Sequence, residues 1–285
     1  MKHTRPITVA IAGGAACAAL LASPAAQGAP DPGAVKPGAD VPTYAEFREA
    51  TYRDFDGQYI VNGDEPIDAE ELRAYYNRMV STADGESAHG EDAQGPINGL
   101  IVNQDGGADD VWTAGEVGNL TYCVSDDFGS MKSTVVAAMA DGAAEWEAAS
   151  SAIDFVYDSS ADADCVTSND DVLFPVEPVN TSSYIARAFF PSSPDYERNV
   201  LVADSLTTSG WDPANIMAHE LGHVLGFRHE HTRPEAGTCF EDNNWRPLTP
   251  YDAASIMHYP QCNGASQDLT MSATDRSGVA DLYGG

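Results

Sequence analysis

The sequence predicts an α+β fold: a twisted mixed β-sheet with a helix packed on it, a second helix carrying paired histidines, then a smaller irregular region ending in a helix. Three observations predict this. Short β-like runs are interleaved with one long Ala-rich helical stretch between residues 120 and 202. A helix start stands at Asp212-Pro213, an N-cap residue followed by proline at the first helical position. Beyond that helix Gly, Pro, Asn and Cys become frequent, which favours irregular structure.

The 285 residues suffice for one medium-sized domain with extra segments, or for two small domains. Lys2 and Arg5 precede an apolar stretch from Ile7 to Ala22 and small residues through Ala29, the pattern of a secretory leader over residues 1–29. Lipid attachment at Cys17 is disfavoured, because no Leu stands three residues before it. No later run approaches the roughly 20 apolar residues of a membrane span.

Residues 30–110 are acidic and rich in Gly and Pro, and read as a propeptide-like region and linker. One island looks structured: Ala45 to Tyr52 and Ala69 to Met79 as helices, and Gln58 to Val61 as a strand ending in a hairpin turn at Asn62-Gly63. Ser81 to Asp110 reads as linker. Met79 to Met131 contains neither Lys nor Arg, which excludes trypsin-like activation there.

From Val111 the texture changes. Leu120 to Val124 alternates as a strand does, and Ser133 to Ala149 spaces Val135, Val136, Met139 and Trp146 along one helix face. Further strands are expected at Ile153 to Tyr157, Val172 to Phe174, Ile185 to Phe190 and Asn199 to Val202. A last helix starts at Ser272, which with Asp275 forms a capping-box pattern, and runs towards Leu282.

Forty-four acidic residues against 14 basic ones give a formal net charge of -30. Nucleic acid and anionic membranes would repel such a chain, and the acidity suits salty or calcium-rich surroundings. After leader removal Cys123, Cys165, Cys239 and Cys262 remain, an even number in an oxidising compartment. Of the three possible connectivities, Cys123 with Cys165 and Cys239 with Cys262 is preferred, because each closes a local loop. The cysteines are too scattered for a tetrathiolate zinc site.

His219 and His223 are four residues apart, so both imidazoles project from one helix face and can bind one ion. Glu220 lies beside them, where it can take a proton from an activated water. His229 is ten residues beyond His219. A continuous helix would carry it about 15 Å along the axis, against zinc-to-nitrogen bonds of about 2 Å. The helix must therefore break, and Gly226 stands where glycine can make the turn. Core histidines are the plainer explanation of such a helix. Four of the seven histidines fall between His219 and His231, with Glu220 and Gly226 at the places the chemistry requires, which sets that explanation aside.

These residues resemble the metzincin metallopeptidases, with their motif H-E-x-x-H-x-x-G-x-x-H and a later methionine turn, here Ser255-Ile256-Met257-His258-Tyr259. Gly226-Phe227, His229-Glu230, Arg233 and the turn itself are similar to the astacin branch, in a bacterial secreted form; Pro234 to Gly237 departs from the animal pattern. The resemblance implies a metzincin-like catalytic domain over 111–285, one catalytic zinc on His219, His223 and His229, Glu220 as general base, and Met257 packed beneath the metal. It also implies that Tyr259 can ligate zinc and swing away to stabilise an oxyanion, and that Glu230 receives the mature N-terminus. Animal astacins block zinc with the aspartate of F-x-G-D, which Val61-Asn62-Gly63-Asp64 matches in part; a hairpin turn is the preferred reading of those residues.

The expectation is a secreted, monomeric zinc endopeptidase made as a zymogen, acting on protein or peptide, with calcium as a second candidate ion. Two rivals are a zinc amide hydrolase acting on cell wall or another non-protein substrate, and a catalytically silent zinc-bearing binding protein. The edge near Ile185 to Phe190 is the candidate for aligning an extended substrate.

Overall fold

The computed structural model describes residues 42–83 and 100–285. The expected leader and the middle of the expected linker lie outside the described residues.

The N-terminal island forms a helix, a three-stranded meander and a second helix. Helix α1 (Tyr44–Ala50) opens with a capping box between Thr43 and Glu46. Strands β1 (Tyr52–Arg53), β2 (Tyr59–Val61) and β3 (Glu65–Ile67) pair antiparallel, and α2 (Ala69–Ala83) follows. Phe47, Tyr59, Val61, Leu72, Tyr75 and Met79 give this unit a small core of its own. Asn62 and Gly63 take φ of 56° and 103°, which makes the expected turn between β2 and β3.

The stretch read as linker differs from expectation at its end. Strand β4 (Ile101–Asp105) pairs with β5 (Ala108–Asp109), with β11 (Phe227–Arg228) and with β12 (Trp245–Pro247). Leu100, Ile101 and Val102 are fully buried. Residues 100–109 therefore belong to the sheet of the larger unit. Three apolar residues bounded by Gly and Asn are too few for periodicity to register, and the partners that make them a strand lie more than 100 positions away.

The principal sheet has the order β7-β6-β8-β10-β9. Strands β6 (Leu120–Val124), β7 (Phe155–Tyr157), β8 (Phe174–Val179) and β10 (Val200–Ala203) run parallel, and β9 (Ala186–Arg187) closes the edge antiparallel to β10. Helix α3 (Lys132–Ala149) buries Val135, Ala138, Met139, Ala143 and Trp146 in the main core. It packs against α4 (Pro213–Val224), where the Trp146 indole donates to the Ala218 carbonyl at 2.7 Å. Helix α5 (Ala273–Tyr283) begins at the expected Ser272–Asp275 capping box. Both expected disulfides are present, with Cα separations of 5.7 and 5.6 Å, ordinary for the bond. No helix among the described residues is long and apolar enough to cross a membrane.

Candidate metal centre

Helix α4 starts as expected, with the Asp212 side chain accepting from the Ala214 N–H. It ends at Val224, and its last carbonyls find partners from elsewhere in the fold. The Trp112 indole donates to Val224 O at 2.7 Å and the Tyr283 hydroxyl to Leu225 O at 2.6 Å. Gly226 then takes a φ of 90°, and a Cβ there would stand 2.1 Å from Asp110 O. Glycine is required both by the turn and by the close approach of the backbone just past β5. The turn folds His229 back beside His219 and His223.

Gly222, inside the histidine motif, is needed for a different reason. A Cβ there would meet Met257 Sδ at 2.4 Å and Trp146 Cζ2 at 2.9 Å. Met257 is thus packed directly beneath α4, fully buried. Its turn is pinned from α5: the Asp275 carboxylate accepts from Ser255 Oγ at 2.6 Å and from Ile256 N at 2.9 Å.

Each imidazole is oriented through its outer nitrogen. Nδ1 of His219 donates to Ile256 O at 2.7 Å, Nδ1 of His223 to Phe227 O at 2.9 Å, and Nδ1 of His229 to the Glu241 carboxylate at 2.7 Å. Carbonyls and carboxylates only accept, so Nδ1 carries a proton in each ring, which leaves Nε2 as the nitrogen available to a metal. The Nε2 atoms of His219 and His229 face each other at 3.2 Å. Two acceptors at that distance repel unless a proton or a metal cation lies between them.

Asp64 completes the cluster. Its carboxylate lies 3.3 Å from His219 Nε2, 3.5 Å from His223 Nε2 and 3.2 Å from His229 Nε2. These four residues offer ligand atoms all within 4.8 Å of one another, all buried. His223 Nε2, Asp64 Oδ1 and Glu220 Oε2 are buried without a hydrogen bond. Three Nε2 atoms converging on one point with orphaned polar atoms fit zinc, which takes imidazole and carboxylate ligands. The preference for a plain hairpin turn at Asn62-Gly63 is therefore corrected. The turn forms, and it also delivers Asp64 to the histidines; the two readings are compatible because Asp64 directly follows the turn's two left-handed residues, Asn62 and Gly63.

Electrostatics follow from burial. It pushes the His219 and His223 rings below their ordinary range. Burial acts the same way on His229, but the Asp64 and Glu241 carboxylates outweigh it and hold that ring well above its ordinary value. Burial, reinforced by Asp64, raises Glu220 well above the usual carboxylate range. Tyr259 donates its hydroxyl to Asp64, and its ring lies 4.5 Å from that of His229.

Sequence reading missed Glu241, Asp275 and His231. Glu241 holds both His229 and His231, the latter at 3.1 Å, while Arg228 donates to its other oxygen at 3.0 Å. His231 Nδ1 accepts from the Tyr259 N–H at 3.2 Å, so one carboxylate fixes a ligand candidate and the tyrosine's backbone together. No spacing rule links position 241 to the motif. Glu230 is buried against Arg233 at 3.2 Å and accepts from Asp252 N at 2.9 Å, while its Oε2 has no hydrogen bond. Of the two potential metal-binding groups among the described residues, both contain histidine, so the calcium expectation finds no support here.

No family model matches the chain. Over 95 residues, 26 % of this chain, it is 34 % identical to Tolloid-like protein 1 of Homo sapiens. It is 38 % identical over 69 residues (18 % of the chain) to Zinc metalloproteinase nas-30, and 34 % over 85 residues (23 %) to Zinc metalloproteinase nas-38, both of Caenorhabditis elegans. The matched stretches span 9 %, 9 % and 12 % of those relatives' own lengths. This partial similarity supports an astacin-like zinc metallopeptidase.

Proposed function

We propose that the chain is a secreted zinc-dependent endopeptidase made as an inactive precursor, with zinc held by Nε2 of His219, His223 and His229. The observation that carries this reading is the convergence of three Nδ1-anchored imidazoles whose inner nitrogens meet at one point, two of them 3.2 Å apart. Zinc, when bound, supplies Lewis acidity that polarises a peptide carbonyl and brings water's ionisation near neutral pH.

The protein's own groups do the rest. Glu220 takes a proton from the attacking water at its unpartnered Oε2 and passes it to the departing amine. Once Asp64 has left, the Tyr259 hydroxyl is free to donate to the developing oxyanion. While Asp64 stays, its carboxylate occupies the space substrate needs, and its charge adds to the burial that raises Glu220 above the usual carboxylate range.

Maturation then means release of the segment carrying Asp64. The retained chain must start at or before Leu100, because Leu100 belongs to the main core. Glu230 Oε2, buried and without a hydrogen bond, suits a new ammonium terminus.

The test is hydrolysis of casein-like protein by the zinc-loaded, processed form. Activity should vanish in Glu220→Gln with zinc retained, and unprocessed Asp64→Ala should gain activity that the unprocessed parent lacks. Failure of the processed protein to cut any peptide in a broad library would overturn the assignment. N-terminal sequencing should find the new terminus between residues 81 and 100.

A further inference from the structure

Side chains along a strand alternate between the two faces of its sheet. Phe174 and Val176 of β8 and Val200 and Val202 of β10 point into the main core, so Leu201 points the other way. At β6 that second face is covered by the larger unit itself, where Cys123 packs with Ala161, Cys165 and Val172. At β10 and β9 the N-terminal unit supplies the cover. Leu201 is fully buried among Tyr184 and Val179 of its own unit and Ile60 and Tyr52 of β2 and β1. The Tyr52 and Tyr184 rings meet edge-on at 6.3 Å, and Thr181 Oγ1 donates to the Tyr52 hydroxyl at 3.0 Å.

Charge is divided the same way. Arg187 of β9, paired opposite Leu201, has no exposed surface. Its Nε donates to Asp54 Oδ2 at 2.9 Å and a terminal nitrogen to Asp56, both on the turn between β1 and β2, and the Tyr184 hydroxyl donates to Asp54. Its own unit offers the neutral Asn199 Oδ1 at 3.1 Å, and its ion pairs among the described residues are with those two carboxylates alone. A guanidinium buried without a carboxylate is strongly disfavoured.

The order of assembly follows from distance along the chain. Strand β9 pairs with β10 over two residues, too few bonds to offset closure of the loops on either side while the face stays uncovered. The β1–β2 turn is local and holds itself: Asp54 N donates to Gln58 O at 2.8 Å and Gln58 N to Asp56 Oδ1 at 3.1 Å. Its unit has a core of its own, and contacts so close in sequence form early.

We propose that residues 52–61 are a folding template for the β9 edge of the larger unit. The N-terminal unit forms first and presents Ile60, Asp54 and Asp56, and Leu201, Tyr184 and Arg187 assemble on them. This function is separate from that of Asp64 at the metal centre. It requires no peptide-bond hydrolysis, so failure of the peptidase reading leaves it standing, and the reverse.

The experiment takes the full-length chain through urea with its disulfides intact and zinc chelated. Refolding and unfolding rates are followed by tryptophan fluorescence for wild type, Asp54→Asn/Asp56→Asn, Ile60→Ala and Asp64→Ala. A template acts before the rate-limiting step. The double variant and Ile60→Ala should therefore refold more slowly by roughly tenfold or more with unfolding little changed, while Asp64→Ala refolds at the wild-type rate. Contacts that only stabilise the finished structure give the opposite pattern, faster unfolding with unchanged refolding, and that pattern overturns the proposal. Equal slowing by Asp64→Ala overturns the assignment to residues 52–61. In a second arm the processed wild-type protein, purified away from residues 42–83, goes through the same cycle, and recovery is also read as zinc binding by chelator competition. It should stay unfolded or recover more slowly than the unprocessed chain by roughly tenfold or more. Recovery at the unprocessed rate overturns the proposal, and this arm decides alone if the variants are never obtained folded.

Discussion

Replacing Gly226 by Ala probes the turn on which the metal centre depends. Two costs add at this position. A φ of 90° places a Cβ-bearing residue in left-handed space, about 1 to 2 kcal/mol. The new Cβ would also stand 2.1 Å from Asp110 O, a backbone atom tied to Asn103 through the β4–β5 hairpin. Overpacking of that kind costs about 1 to 3 kcal/mol more. Gly237→Ala is the control, since φ there is 71° and a Cβ meets nothing within 4 Å. Urea unfolding of the metal-free proteins should therefore show Gly226→Ala less stable than Gly237→Ala by about 1 to 3 kcal/mol. Zinc affinity, read by chelator competition, should fall at least tenfold in Gly226→Ala alone, because moving residue 226 shifts His229 relative to the α4 histidines. Equal destabilisation by the two variants would refute the claim that residue 110 packs against the histidine turn.

Three further outcomes are expected. Glu241→Gln removes the charged acceptor of His229 Nδ1–H, so zinc affinity should fall about 10- to 100-fold, while Glu220→Gln leaves it close to wild type. Asp275→Ala unpins Ser255 and the Ile256 amide and should cost about 2 kcal/mol in chemical denaturation, with the loss expected even without zinc. His231 is driven down to about 4, first by burial, from an unfolded value near 6.5. Its folded pKa is depressed, so its contribution of up to about 3 kcal/mol is present above pH 6.5 and is lost as pH falls through 4. His231→Gln should flatten that part of the stability-versus-pH curve, and an unchanged curve would remove His231 from the account.

Much of the site was legible because its logic is local. The i, i+4 pair, the break at Gly226, the Asp212-Pro213 start and the Ser272–Asp275 capping box each follow from helical geometry over a dozen residues or fewer. Strand β6 and helix α3 were readable for the same reason, since each is long enough to show its period. Strands β11 and β12 were not, because two or three residues show no period, and β4, as long as β6, was not because its residues do not alternate and its pairing with β11 and β12 comes from distant parts of the chain.

The sequence by itself determined that three imidazoles could meet on one ion with a carboxylate beside them, since residue type and spacing constrain how far apart such groups can lie. Only the tertiary structure decided what surrounds them. Glu241 reaches His229 across 12 residues of irregular chain, and Asp275 holds the methionine turn from another helix. Asp64 and Asp54 arrive from more than 100 residues upstream, at His219 and Arg187 respectively. Contacts closed over such distances depend on the packing of the whole core, and no local pattern of residues encodes them.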